Sequence, residues 1–269
     1  MNAQLSNQFI HVIISGDIER VKQFINSGID VNEYDSSRRL PIFIASLYGH
    51  TEIVKELIRA GADVNKGTNS EWKPIYIASA NGYHDTVRTL TAAGADVNII
   101  TPNIGAPIHI ASRRGHIYVV RALIDAKADV NIKDVYYKRT PILLASMNGF
   151  ADIVRELIHA GADISIKDKD GQTALDIAKN NEIKQILMSV SEEKQLGVLE
   201  EIDLHHKNKR ITDPLSITAE YVTGRKGSLA EQRNKLKQTM GVSLAPRSRG
   251  GYRKTRKNNR KRRFVKTRK

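Results

Sequence analysis

From Leu40 to about Ala178, apolar residues fall into two alternating kinds of cluster, separated by glycine and by short polar stretches. The first kind is compact and almost wholly apolar. It runs Pro41 to Ala45, Pro74 to Ala78, Pro107 to Ala111 and Pro141 to Ala145, with Ala174 to Ala178 as a variant. Proline suits the first helical turn, where its missing N–H is not needed and its φ is already set. Each of these prolines therefore predicts the start of a helix. Gly49, Gly82, Gly115 and Gly149 stop those helices after eight residues, as residues free to take φ > 0 do just past a helix end. The second kind of cluster has helical spacing on one face: Ile53, Val54, Leu57, Ile58; Val87, Leu90; Val119, Val120, Leu123, Ile124; Ile153, Val154, Leu157, Ile158. Gly61, Gly94 and Gly161 end this second helix. Nine or ten polar-rich residues then lead to the next proline, enough for a projecting hairpin and too few for another helix.

The pattern is a repeat. A phrase Gly-Ala-Asp-Val-Asn or a close variant ends at Asn32, Asn65, Asn98, Asn131 and Ser165, with steps of 33, 33, 33 and 34, and the proline phrase returns in phase with it. One helix pair has an apolar face on each side and is unstable alone, so copies must stack. Each buried Ile, Val or Leu contributes roughly 1.5 to 3 kcal/mol, and stability becomes a sum over neighbouring copies. The ends are altered to meet water: Arg20 stands where inner copies have Ile53 or Val119, and the last copy degenerates after Ala178. The expected class is all-α: a repeat solenoid over 1–190, with copies at about 5–35, 36–68, 69–101, 102–134 and 135–168 and a truncated copy at 169–188.

These phrases resemble the ankyrin repeat family, whose signature runs Thr-Pro-Leu-His-x-Ala, Gly-His, Val-Val-x-x-Leu-Leu and Gly-Ala-Asp-Val-Asn. Only Thr140 and Thr173 keep the threonine of the first phrase, and only His109 keeps its histidine. The departures leave open the hydrogen bonds that these groups make between neighbouring repeats in the family. The resemblance implies a rigid, monomeric, non-enzymatic scaffold that binds a protein partner through one concave face, made of the first helices and the hairpin tips. By register, the first-helix positions on that face include Leu47, Tyr48, Asn81, Arg113, Arg114, Met147 and Asn148; the tips add Tyr34, Arg39, Trp72, Tyr136 and Tyr137. Trp, Tyr and Arg are enriched in binding hot spots. The single inserted residue of the array also lies in the Tyr136 hairpin. The alternative place for these aromatics is folded back against the side of the stack. Asn65, Asn98 and Asn131 each follow a leucine by eight residues with Asp two before, similar to the pattern that asparaginyl hydroxylases modify in ankyrin repeats; a hairpin hydrogen-bonding role explains them without an enzyme.

Charge divides the chain in two. Residues 1–204 hold 22 basic and 26 acidic side chains, net −4, whereas 205–269 hold 21 and 3, net +18. The stretch 191–246 reads as a linker with short helices, one acidic at 191–204 and one opened by a capping box at Ser228 to Glu231. Residues 247–269 carry 13 Lys+Arg and no acid, so this tail is expected to be disordered when free. Within it Arg253, Lys254, Arg256, Lys257, Arg260, Lys261, Arg262 and Arg263 look like a nuclear localisation signal. They are equally suited to nucleic acid or another polyanion.

Enzyme chemistry finds no support. Without cysteine there are no thiolate nucleophiles or metal sites. No phosphate-binding glycine loop, dinucleotide fingerprint or nucleophile elbow is present. The adjacent His205 and His206 lack a third ligand at metal-site spacing, so neither a metal nor a cofactor is expected. Met1 to Asp17 lacks the basic start of a secretory signal, and no stretch approaches 18 consecutive apolar residues. The expectation is an intracellular protein of nucleus or cytoplasm.

Overall fold

The computed structural model describes residues 3–68, 72–101 and 105–192. The chain divides into two units, Met1–Gln195 and Leu196–Lys269. The second unit lies outside the described residues, as do the linker expected beyond Glu192 and the basic tail.

Helices occur in pairs: α1 Ala3–Ser15 with α2 Ile18–Asn26, α3 Pro41–Tyr48 with α4 Thr51–Arg59, and α5 Pro74–Asn81 with α6 His84–Ala92. The series continues with α7 Pro107–Arg114 and α8 Ile117–Asp125, then α9 Pro141–Asn148 and α10 Ala151–His159. A further helix, α11, covers 181–192. Odd-numbered helices pack on odd and even on even, α1 through α9 in one layer and α2 through α10 in the other. One continuous apolar core runs between the layers from Phe9 to Leu187.

Local chemistry sets each boundary. Pro41, Pro74, Pro107 and Pro141 stand at the first turn of α3, α5, α7 and α9, and a left-handed glycine closes each of those helices. At Gly82 two constraints coincide: φ is +81°, and a Cβ would lie 2.8 Å from the His116 ring of the next repeat. The even helices end in the same way at Gly28, Gly61, Gly94 and Gly161, but the fourth repeat has Lys127 at that position with φ +66°.

Among the described residues the hairpins contain no extended strand. Backbone bonds close their tips, among them Asp35 N–H to the Arg39 carbonyl (3.0 Å), Asp134 to Arg139 (2.9 Å) and Asp168 to Gln172 (2.9 Å), and Thr101 with Gly105 forms one isolated bridge.

The two ends depart from the inner copies. Arg20 is exposed at the position where Ile53 is buried, and Phe9 packs on Phe24 with ring centres 5.4 Å apart. In the last copy the first helix is reduced to turns at 174–177. There the Asp176 carboxylate takes both the N–H and the hydroxyl of Thr173, at 2.8 and 2.6 Å. The Lys179 N–H bonds to the Ser146 carbonyl of the preceding repeat, and Asn180 Oδ1 accepts from Ile183 N–H to open α11. Helix α11 buries Ile183 and Leu187 and runs past position 188, where the periodic pattern ends.

Left-handed backbone costs a residue with a Cβ on the order of 1 kcal/mol. Lys127→Gly should therefore raise stability by about 0.5 to 1 kcal/mol, measured as a higher midpoint in thermal or urea unfolding. Leu123→Ala, which opens the fully buried centre of the stack, should lower it by about 2 to 5 kcal/mol.

Candidate protein-binding surface

Two rows of polar bonds hold neighbouring repeats in register and so position the surface. The first is an asparagine ladder. Asn32 Nδ2 donates to the Gly61 carbonyl and its Oδ1 accepts from Asp63 N–H, both at 2.8 Å. Asn65 repeats this with Gly94 and Asp96, and Asn131 with Gly161 and Asp163. Where Lys127 replaces the glycine, Asn98 accepts from Asp129 N–H. Each asparagine is itself held by an aspartate two residues earlier, as at Asp63 and Asn65 (2.8 Å). The repeated Asp and Asn residues are thus turn residues, and their amides are engaged in the ladder.

The second row lies at the turn between paired helices. His50 Nε2 is 3.2 Å from the Ile14 carbonyl and His116 Nε2 3.1 Å from that of Ala80. Both rings therefore donate through Nε2 to the preceding repeat. His109 works inside the stack. Its Nδ1 accepts from Ala106 N–H and its Nε2 faces the Arg139 carbonyl, each at 3.0 Å. Only the neutral ring can accept on one nitrogen and donate on the other. Burial pushes its pKa below the ordinary 6.5 against the opposing pull of the Arg139 hydrogen bond. The Thr140 hydroxyl, with Leu143 three residues on in place of histidine, is buried without a partner. The departures from the family signature have thus split its Thr-His pair: His109 takes a backbone N–H instead, and still ties the fourth repeat to the fifth.

On the first-helix row, Asn81 Nδ2 donates to the Leu47 carbonyl (3.0 Å) and Arg114 Nη1 to that of Ala80 (2.6 Å). These bonds link the second, third and fourth repeats at neighbouring positions. Asn148 Nδ2 turns to the Leu144 carbonyl of its own helix (2.7 Å). Leu47 and Met147 are half-buried, Arg113 is exposed, and Tyr48 is exposed with its ring stacked near His50. At the tips, Tyr34 donates its hydroxyl to the Gly67 carbonyl (3.0 Å) beneath Lys66 Nζ, and Arg39 pairs with the buried Asp35 (2.8 Å). Trp72 does not stand free. It is half-buried, edge-on to Tyr76 at 5.4 Å, in a small apolar cluster with Ala80 and Ile110. Tyr136 and Tyr137 are 58% and 46% exposed.

Sequence reasoning missed Tyr76, whose phenol is pushed up to about 12 by burial, against the pull of Arg113 and Arg114. It also missed Lys169, whose Nζ lies 4.3 Å from the centre of the Tyr137 ring. Register could have found both, since Tyr76 is in phase with Phe43 and His109, and Lys169 occupies the next tip along. The opposite side carries Arg88 with Asp125 and Arg121 with Glu156, bridging successive even helices, and Arg155 with Glu182, which reaches from α10 to α11. Exposed pairs of this kind are worth about 0 to 1 kcal/mol each. The eight basic residues from Arg253 to Arg263 lie outside the described residues.

Among the described residues no three His, Asp or Glu side chains are grouped to hold a metal ion. No helix among them is long and apolar enough to cross a membrane. The family model for ankyrin repeats, in three copies, matches residues 9–101 and again 106–198. The chain belongs to the ankyrin repeat family. Ankyrin repeats are generally protein–protein interaction modules. The crystal structure of the human ASB11 ankyrin repeat domain is similar in fold, with a TM-score of 0.61 and 22% sequence identity over 67% of this chain and 80% of that one. No curated protein matches the chain in sequence.

A histidine held neutral contributes stability in full above its unfolded pKa of 6.5 and loses it as pH falls toward the folded value. From about pH 7 to about pH 5 the ankyrin stack should lose more thermal stability than the His109→Gln variant does, measured by melting both across that range.

Proposed function

We propose that this protein is a non-enzymatic ankyrin adaptor, with the stack gripping a partner protein through the first-helix row and hairpin tips and the basic arm providing a second attachment. One observation carries the reading. The first-helix side chains from Leu47 to Asn148 stand outside a core that is already complete, on helices cross-tied by Asn81 and Arg114. A surface held this rigidly loses little entropy on binding. Tyr48, Arg113 and Arg114 are its exposed members between the tips.

A second role for the arm follows from the segregation of charge, net +18 after residue 204 against net −4 before it. Such an arm neutralises phosphates and releases counterions. It serves for nuclear targeting, for holding the complex on nucleic acid, or for both. The alternative arrangement makes the arm the principal binder and the repeats its recruiter.

Affinity capture with the full chain and with the unit Met1–Gln195, each with and without nuclease, separates the two arrangements. The adaptor reading expects the same protein partners with the unit alone and after nuclease. Loss of every partner on either treatment makes the arm the primary binder. For the arm, replacing the eight basic residues from Arg253 to Arg263 by serine should abolish most polyanion affinity. With roughly 6 to 10 phosphate contacts, the intact arm should lose about 10³- to 10⁵-fold in affinity between low and moderate salt.

A further inference from the structure

We infer that the fourth hairpin tip, closed between Asp134 and Arg139, is the anchor point of the surface, and that it takes an acidic segment of a partner protein carrying an aromatic or large aliphatic side chain among its carboxylates. This rests on the stack being a protein binder and names the chemistry of the partner.

Three consecutive apolar residues stand out at this tip, Val135, Tyr136 and Tyr137, exposed by 46%, 58% and 46%. They are held in place. The Tyr137 N–H donates to Asp134 Oδ1 (2.7 Å), and its carbonyl accepts from Lys169 N–H of the following tip (2.9 Å). The Tyr137 ring sits near two cations, the Arg139 guanidinium at 4.7 Å and the Lys169 ammonium at 4.3 Å. The tip is also built differently from its neighbours. Its closing bond joins Asp134 to Arg139, one residue further than Asp35 to Arg39 or Asp168 to Gln172. The extra residue adds no side chain to the core: all four residues inside the closing bond, Val135 to Lys138, are exposed.

Charge decides the class of partner. Two of the three acids of this region are engaged by the tips, and the third, Asp170, is exposed beside Lys169. Asp134 caps the Tyr137 N–H. Asp168 is buried and accepts from Asp170 and Gln172 N–H, with Arg139 Nε at 3.4 Å. Burial would raise its carboxyl, but these hydrogen bonds and Arg139 hold it below the usual 3.8. Lys138 and Lys169, by contrast, make no ion pair among the described residues. The result is a pre-ordered apolar knuckle with outward cations, which complements carboxylates flanking an apolar side chain. A nucleic-acid strand asks instead for an unbroken row of cations tracking its phosphates, whereas the exposed Lys133, Lys138, Lys167 and Lys169 are interleaved with Asp134, Asp168 and Asp170 around an apolar centre.

The test uses the full chain with all 13 Lys and Arg residues of 247–269 changed to serine, which removes the arm's dense positive cluster from the signal. A labelled random copolymer of glutamate and tyrosine is titrated in anisotropy, with polyglutamate and oligothymidylate as reference probes. The copolymer should bind at least about tenfold more tightly than polyglutamate, with Tyr136→Ala erasing that difference and Lys169→Glu weakening both acidic probes by about tenfold. Both residues are exposed, so the variants should keep the parent melting temperature, which is measured alongside. Copolymer affinity unchanged within about twofold in both variants overturns the inference. So does oligothymidylate binding more tightly than the copolymer with the same dependence on Tyr136, which would make the tip a nucleic-acid contact. If Arg113→Glu abolishes copolymer binding while the tip variants do not, the anchor lies elsewhere and the protein-binding reading stands. Capture of partners that fails for the unit Met1–Gln195 overturns that reading itself.

Discussion

Burial of apolar side chains between one repeat and the next is the interaction on which this molecule depends. Val21, Val54, Val87, Val120 and Val154 are fully buried at equivalent positions, and so are Leu57, Leu90, Leu123 and Leu157. No single helix pair could bury these rows, because the core they form runs on from copy to copy. The consequence is a one-dimensional stack whose stability is shared among its junctions. Its surface can change without unfolding it.

Polar bonds then set the register that apolar contact leaves loose. The asparagine ladder and the histidine bonds at the helix turns join groups 29 to 36 residues apart. Each satisfies a backbone carbonyl or N–H at the edge of a helix or turn, where an unmet group would cost about 1 to 3 kcal/mol. The ladder tolerates Lys127, and the helix turns tolerate Tyr83 and Phe150 in place of histidine. Redundancy along the array makes this possible. The split Thr-His pair is the same tolerance seen in the interior, with Thr140 left unpartnered and His109 re-bonded to a backbone N–H.

The two sides of the stack treat charge differently. On the even helices, acids and bases pair across successive repeats and largely cancel. At the tips, Asp35 and Asp168 are drawn inward to close turns, while Lys133, Lys138, Lys167 and Lys169 are exposed. A domain with net negative charge can thereby present a cationic edge. Composition conceals this, because a carboxylate that accepts backbone N–H bonds counts in the sum without projecting its charge.

The solenoid was legible in the sequence because its determinants are local and recur: proline at a first turn, glycine at a left-handed end, and apolar residues three and four apart. A signal repeated in five copies outweighs variation in any one of them. The register also put Tyr48, Arg113, Tyr136 and Tyr137 at exposed positions. What the residues could not reveal was which partner each side chain would choose once the copies met. Trp72 turned onto Tyr76, Tyr34 reached the Gly67 carbonyl, Asn81 and Arg114 capped the preceding helices, and Lys169 closed over Tyr137. Apart from Trp72 and Tyr76, four residues apart, those choices depend on distances between residues about 30 positions apart, and such distances exist only after the stack has formed. The periodic chain alone determined the scaffold; the packed structure decided which of its surface groups remain free to bind.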